Sequence, residues 1–272
     1  MTSRFHILVI AAIAFGQIVS ANAATDGAPL EGPMTLPTMG SHLVVSVVDG
    51  DTVVLDDGRE VRLTGIQAPK LPLGRPNFRT WPLAMEAKRA MENLAVAQMF
   101  DLRVDGNDRD RYRRVLAHLV GPDDAWLQGR LVEMGLARVY TFSDNRRLAQ
   151  ALLRLEQKAR QARKGIWALP YYAIRSSDPG RLSEDFGTFQ VVEAKVLNVA
   201  KVRNRTYLNF GDDYRTDFTL SVDRSARPLF DEASLDLASL EGRRIRVRGW
   251  IKDFNGPLID ITHPEQIEIL PQ

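Results

Sequence analysis

The sequence predicts a mainly β chain with some helix, divided into two modules. Three observations carry that reading. Short strands with two-residue alternation and Asp-Gly turns fill residues 43–66. Two stretches with apolar residues at helical spacing follow, from Ala84 and from Asn145. Beyond SSDPGRLSEDFG (176–187), roughly 80 residues of glycine-separated strands with little helix predict a small closed or partly closed barrel, with a small sandwich as the alternative.

The elements run as follows. MTSRFH and the apolar ILVIAAIAFGQIVS, ending at an Ala21-x-Ala23 site, predict an export signal over 1–23. The mature chain is then periplasmic or secreted and carries no membrane segment, since no later apolar run is long enough. Residues 24–40 are small, polar and proline-rich, which predicts a flexible arm. The first module, 41–175, opens with LVVSVVDG, TVVLDDG and REVRLTGI. These form a meander in which Val61, Leu63 and Gly65 face one side and Glu60, Arg62 and Thr64 the other. KLPLGRPNFRTWPL is a loop, and AMEAKRAMENLAV is a helix. FDLRV and RVLAHLVG are strands joined by the charged DGNDRDRYR. AWLQGRLVEMGLARVY reads as helix, glycine and a short extended piece. NRRLAQALLRLEQKARQARKGIW is a helix of about 20 residues with Leu148, Ala151, Leu152 and Leu155 starting its stripe, stopped by Gly165. Residues 176–187 are a linker and 188–272 the second module.

Charge divides unevenly. Residues 39–175 carry a balance of +6 and residues 176–272 a balance of −3. The first module can attract a polyanion; the second has no global reason to. The absence of cysteine excludes disulfides and thiol chemistry. Four histidines, at 6, 42, 118 and 263, are too scattered for a local zinc site.

The chemistry-bearing residues cluster in VVDGDTVVLDDGREVRLTGIQAPK (47–70) and DRDRYRR (108–114). Asp49 and Asp51 share a face by the strand period, with Arg62 on a neighbouring strand. Arg114 leads directly into VLAHLV. Two arginines from separate strands beside an acid that can hold a divalent cation form a clamp for a phosphodiester. Isolated Asp-Gly pairs are equally turn formers, and DRDRYRR is equally a self-neutralising loop.

VVDGDTVVL, VRLTGIQAP, DRYRRVLAHL, GLARVY and KARKGIW together resemble the thermonuclease, or staphylococcal-nuclease-like, family over residues 44–172. The resemblance implies an OB barrel with packed helices and a Ca2+-dependent nuclease acting on DNA or RNA, single-stranded or double-stranded. Position by position, it implies Asp51 as a metal ligand and Arg62 and Arg114 as the catalytic arginines. The pattern then breaks. Gln67 stands at the second metal-ligand position, where it can still offer a neutral oxygen. Lys70 stands at the general-base position, where it can act as a phosphate clamp or proton donor but not as a base. Arg113 replaces the glycine usual before the catalytic arginine. Losing a base typically costs ~10² to 10⁴ in rate. Glu60, Glu86 and Asp110 are candidate replacements. Two readings therefore stand: a weakened nuclease, or a catalytically inactive nucleic-acid-binding or protein-interaction module.

Arg146, Arg147, Arg154, Lys158, Arg160, Arg163 and Lys164 make the last helix basic, as a phosphate-tracking or merely solvated face. Phe78 and Trp81 are candidates for base stacking. The second module resembles small OB-type modules of bacterial nucleic-acid-binding proteins. Tyr207, Phe210, Arg246 and Arg248 are candidates for its binding face, and a protein partner is the alternative occupant.

Overall fold

The two-residue alternation that begins at Leu43 does build a barrel, and it starts earlier than the composition suggests. A computed structural model describes residues 32–271, so the expected export signal lies outside the described residues. Strand β1 (Thr38–Asp49) already begins inside the stretch expected to be a flexible arm, and Leu36 before it is buried. There follow β2 (Thr52–Leu55), β3 (Glu60–Leu63), β4 (Ile66–Gln67), α1 (Ala84–Ala95), β5 (Met99–Arg103) and β6 (Val115–Val120). Helix α2 (Leu127–Glu133), β7 (Arg138–Val139) and α3 (Ala149–Gln161) complete the first module.

Strands β1, β2, β3, β6 and β5 close a barrel in that order, antiparallel except for the β3–β6 pair. Long β1 closes it by pairing β5 with its first half and β2 with its second. Val44, Val53, Val61, Leu63, Ala117 and Leu119 fill the interior, and α1, α2 and α3 pack against the outside. The two strands off the barrel, β4 and β7, pair only with each other.

The second module comprises α4 (Pro179–Leu182), β8 (Phe189–Lys195), β9 (Asn198–Val202), β10 (Arg205–Asn209), β11 (Thr219–Asp223), α5 (Arg227–Glu232), β12 (Arg244–Asp253), β13 (Pro257–Ile261) and β14 (Ile267–Ile269). Its pairing runs β9–β10–β11, then parallel to β13, then β12 and β8. Because β8 and β9 are consecutive halves of one bent strand, this is the same cyclic order as in the first barrel. The module is therefore OB-like and not a sandwich.

The modules meet through buried charge. Arg248 on β12 is 1% exposed, and its Nη1 donates to Glu156 on α3 at 2.8 Å and to the Val139 carbonyl at 3.2 Å. Its Nη2 donates to Glu268, which also accepts from Arg160 at 2.8 Å and from Arg246 at 3.2 Å. Arg146 pairs with Glu265 at 2.7 Å, and Thr141 Oγ1 lies 2.8 Å from His263 Nε2. The arginines of β12 share one face, as alternation requires: Arg244 stays exposed beside Glu193, Arg246 joins Glu193 to Glu268, and Arg248 is turned into the first module. Arg246 and Arg248 are therefore interface residues and not a free binding face, while Phe210 is buried in the second core. Arg146 and Arg160 are likewise taken from the basic face of the last helix. Among the described residues no helix is long and apolar enough to cross a membrane.

Removing one partner of a buried ion pair leaves the other uncompensated, so Arg248→Ala is expected to destabilise by ~3–5 kcal/mol. Differential scanning calorimetry should then register a melting temperature lower by about 10 °C, at 2–4 °C per kcal/mol for a chain of this class. Acid acts on the same interface. Burial, reinforced by Arg146 and Arg248, lowers His263 from 6.5 to about 4, and burial beside Trp126 on the outer face of the first barrel lowers His118 to about 3. The unfolded chain therefore binds protons between pH 6.5 and 4 that the fold excludes, and stability must fall on acidification through that window. Burial alone would raise Glu268, but Arg248 and Arg160 outweigh it and hold it at about 2, so its contribution is lost below 4.5. Urea midpoints are expected to decline from pH 6.5 to 4, with a shallower slope in His263→Gln.

Candidate functional site

Asp49 ends β1 and Asp51 precedes β2, so the two acids meet across a turn rather than along a strand face. Gly50 between them has no room for a side chain: a Cβ would lie 2.7 Å from that of Ala68 and 2.8 Å from that of Ala87. The turn is thereby packed onto the 68–70 segment and α1. Asp51 is fully buried, and its Oδ2 accepts from the Ala68 N–H at 2.7 Å. Lys70 Nζ completes the arrangement, 2.6 and 2.7 Å from the two Asp51 oxygens and 3.2 Å from Asp49 Oδ2. Arg62 Nε lies 3.4 Å from Asp51 Oδ1. Burial would raise the Asp51 carboxyl, but Arg62 and Lys70 outweigh it and hold it well below the ordinary carboxylate range. Asp49 moves the other way, raised by burial and by the charge of Asp51.

An ammonium group has three N–H donors, and all of Lys70's are directed at these carboxylates. It is a counter-ion here, not a phosphate clamp or a proton donor to substrate. Gln67, expected to offer an oxygen to a cation, is also committed: its Oε1 accepts from Arg138 Nε at 3.0 Å and Nη2 at 2.7 Å. A carbonyl oxygen has two lone pairs, so neither remains. Arg138 lies under Phe189 of the second module, 4.7 Å from the ring centroid, and burial lowers it to about 10, still charged at neutral pH.

Calcium, which takes six to eight oxygens at 2.3–2.6 Å, does not fit this donor set, because Lys70 and Arg138 hold the oxygens it would use. Among the described residues, His42, Asp56 and Asp57 are close enough to share a cation, where β1 passes the exposed β2–β3 turn. Arg59 Nη2 lies 2.7 Å from His42 Nε2 and already supplies positive charge there.

Arg62 connects the acid pair to a cleft of about 610 Å³ at the junction of the modules. It lies opposite Thr52 on β2 and Leu116 on β6 and is therefore held in regular backbone. Its Nη1 and Nη2 donate to the Leu63 and Ile66 carbonyls. Those two bonds use two of the guanidinium's five N–H donors, and the Asp51 contact is an ion pair. Arg114 precedes β6 by one residue and is fixed by Asp110, whose Oδ2 accepts from Arg114 Nε at 2.8 Å while Oδ1 accepts from the Arg114 backbone N–H at 2.9 Å. Arg113 has φ 68, the left-handed region in which glycine is at ease, so the replacement noted in the sequence is a strained one.

Arg62, Arg109, Arg111 and Arg114 line the cleft with Tyr112, Tyr140, Phe142 and Trp250. The buried hydroxyl of Thr64, also on its wall, has no hydrogen-bond partner among the described residues. Of the replacement bases considered, Asp110 lines the cleft, while exposed Glu60 and Glu86 lie elsewhere on β3 and α1. Phe78 and Trp81 stack on each other, and Trp81 packs toward Tyr171, away from the cleft residues. Trp250, whose indole donates to the Tyr140 hydroxyl at 3.0 Å, was missed by sequence reasoning, as were Tyr140 and Phe142 beside it. The signal for Trp250 was exposure on an otherwise alternating strand, which only pairing can reveal.

The family described as "Staphylococcal nuclease homologue" matches residues 60–169. A protein from Staphylococcus hyicus named "Thermonuclease" is 27% identical over 60% of this chain and 95% of its own length. "Uncharacterized endonuclease" from Escherichia coli is 30% identical over 46% of this chain and 75% of its own. "Protein ParB" from Escherichia coli is 30% identical over 63% and 90%. The barrel, the position of Arg62 and Arg114 on it and these similarities agree: the chain belongs to the staphylococcal nuclease family.

Proposed function

We propose that this chain is a nuclease of its family that holds a single nucleic-acid strand in the cleft between its two modules. The observation that carries the reading is the composition of that cleft. Four arginines and four aromatic rings line one space, on a module whose charge balance is +6. Guanidinium groups neutralise a phosphodiester and form paired hydrogen bonds to its oxygens, and aromatic faces stack bases without regard to sequence. Arg62 and Arg114 take the scissile phosphate, Arg109 and Arg111 the neighbouring backbone, and Tyr140, Phe142 and Trp250 the bases. Thr64 supplies a hydroxyl to whatever polar group enters.

Hydrolysis is supported by the names of the relatives and by the clamp. Two arginines directed at phosphorus stabilise the charge that develops on its oxygens. The proton of an attacking water requires an acceptor, and Asp110 and Asp144 are the carboxylates that line the cleft. Both Asp110 oxygens already accept from Tyr112 and Arg114, so Asp110 must exchange one of those bonds to act, whereas Asp144 is engaged through Oδ2 by Asn107. A second reading, binding without cleavage, is favoured by Lys70 at the position of the family's base.

The test uses fluorescein-labelled single-stranded and double-stranded DNA and RNA, read by anisotropy for binding and by gel for cleavage. Arg62→Ala with Arg114→Ala is expected to abolish cleavage and weaken binding by at least tenfold, as charge-assisted contacts worth ~1.5–3 kcal/mol each are lost. Trp250→Ala is expected to weaken single-strand binding about tenfold, given stacking worth ~1–3 kcal/mol per base. Binding without cleavage in the unsubstituted chain selects the second reading. Neither binding nor cleavage sinks both.

A further inference from the structure

We propose that Lys70 is a built-in replacement for the divalent cation, so that the acid pair at the head of the barrel is permanently neutralised and the chain needs no metal there. The inference goes beyond the nucleic-acid reading and stands whether or not the cleft binds a strand.

Geometry makes the case. Lys70 Nζ lies 2.6 and 2.7 Å from the two oxygens of one carboxylate. That is the apex position a cation takes when an aspartate binds it through both oxygens, at and just beyond the upper edge of the ~2.3–2.6 Å range for calcium. The third N–H reaches Asp49 Oδ2 at 3.2 Å, so the ammonium bridges both acids as a shared cation would. A second positive ion cannot enter without expelling the first, and expulsion would leave a charged amine with only 20% of its side chain exposed.

The lysine is also held in place by its own backbone. Its carbonyl accepts from the Trp81 N–H at 3.0 Å, and two residues earlier the Ala68 N–H donates to Asp51 at 2.7 Å. The segment that carries the amine is therefore pinned to the acid it neutralises. Arg62 supplies the second positive charge from the opposite side, 3.4 Å from Asp51 Oδ1. Lys70 and Arg62 together carry the charge of one divalent ion, against Asp49 and Asp51. The other oxygen such an ion would use, on Gln67, serves Arg138 instead. Two independent cations thus occupy the two halves of the ligand set.

The test is a calcium chloride titration of the full chain by isothermal calorimetry, with melting temperatures recorded in calcium and in EDTA. The unsubstituted protein is expected to give no saturable heat and the same melting temperature in both. Lys70→Glu adds a third carboxylate where the amine was and is expected to gain a saturable site. With calcium at ~10 mM and millimolar or tighter affinity, its melting temperature should rise by several degrees over EDTA. Lys70→Gln, neutral and shorter, serves as the second variant, and circular dichroism verifies the fold of each. Saturable calcium binding by the unsubstituted chain that is lost in Asp51→Asn overturns the proposal, as does a folded pair of variants neither of which gains binding. Oligonucleotide binding measured in the same EDTA buffer reports on the cleft separately, so a failure there leaves the lysine result intact.

Discussion

The contact between Arg248 and Glu156 organises much of what surrounds the cleft. Both side chains are buried, one on β12 and the other on α3, and Glu156 Oε2 accepts from the Val139 N–H at 2.8 Å as well as from Arg248. Arg248 in turn donates to the Val139 carbonyl. A two-residue strand has little stability of its own, and β7 is fixed here at both its amide and its carbonyl by charge. Everything attached to β7 inherits that position: Arg138 beneath Phe189, Gln67 across the β4–β7 pair, and Tyr140 at the edge of the cleft. Such a buried pair adds little net stability over an apolar pair of similar volume, because desolvating two ions offsets their attraction. Its consequence is geometric, since unpaired charge elsewhere in that interface would be costly.

The same arrangement gives the second module a different part from the one its sequence suggests. It does not offer Arg246 and Arg248 to a separate ligand. Those two are spent on Glu156, Glu193 and Glu268. What the module contributes to the candidate site is Trp250, two residues farther along the same strand and on the same face as Arg248, where it hydrogen-bonds Tyr140 and closes one wall. Two barrels of the same strand order thus produce one cleft at their junction, with phosphate-seeking groups from the first and an aromatic wall shared between them.

The acid pair at Asp49 and Asp51 shows how a site can keep its shape while exchanging its cation. The two carboxylates, the turn at Gly50 and Arg62 are held together by packing, by hydrogen bonds and by an ion pair. The neutralising charge now comes from a side chain. A tethered amine has only three donors and cannot take additional oxygens, whereas a hard divalent ion accepts several ligands at once. The exchange therefore preserves the folding of the acid pair and removes an open coordination position.

Much of this was legible in the sequence, for a local reason. The alternation of β1–β3, the Asp-Gly turn and the placement of Arg62 and Arg114 all follow from residues close together in the chain, where strand period and turn chemistry apply directly. The sequence by itself thus determined the barrel, the acids and the two arginines, and it showed that Gln67 and Lys70 depart from the pattern. It did not determine what those departures do. Lys70 meets Asp51 only because the chain returns after β4, and Gln67 meets Arg138, 71 positions farther along. Glu156 follows Leu152 by four residues and so falls on the buried stripe of α3, and the partner that compensates its charge lies 92 positions away in another module. The tertiary structure decided these because the pairing of charges depends on distance in space, and burial raises the cost of leaving any of them unpaired.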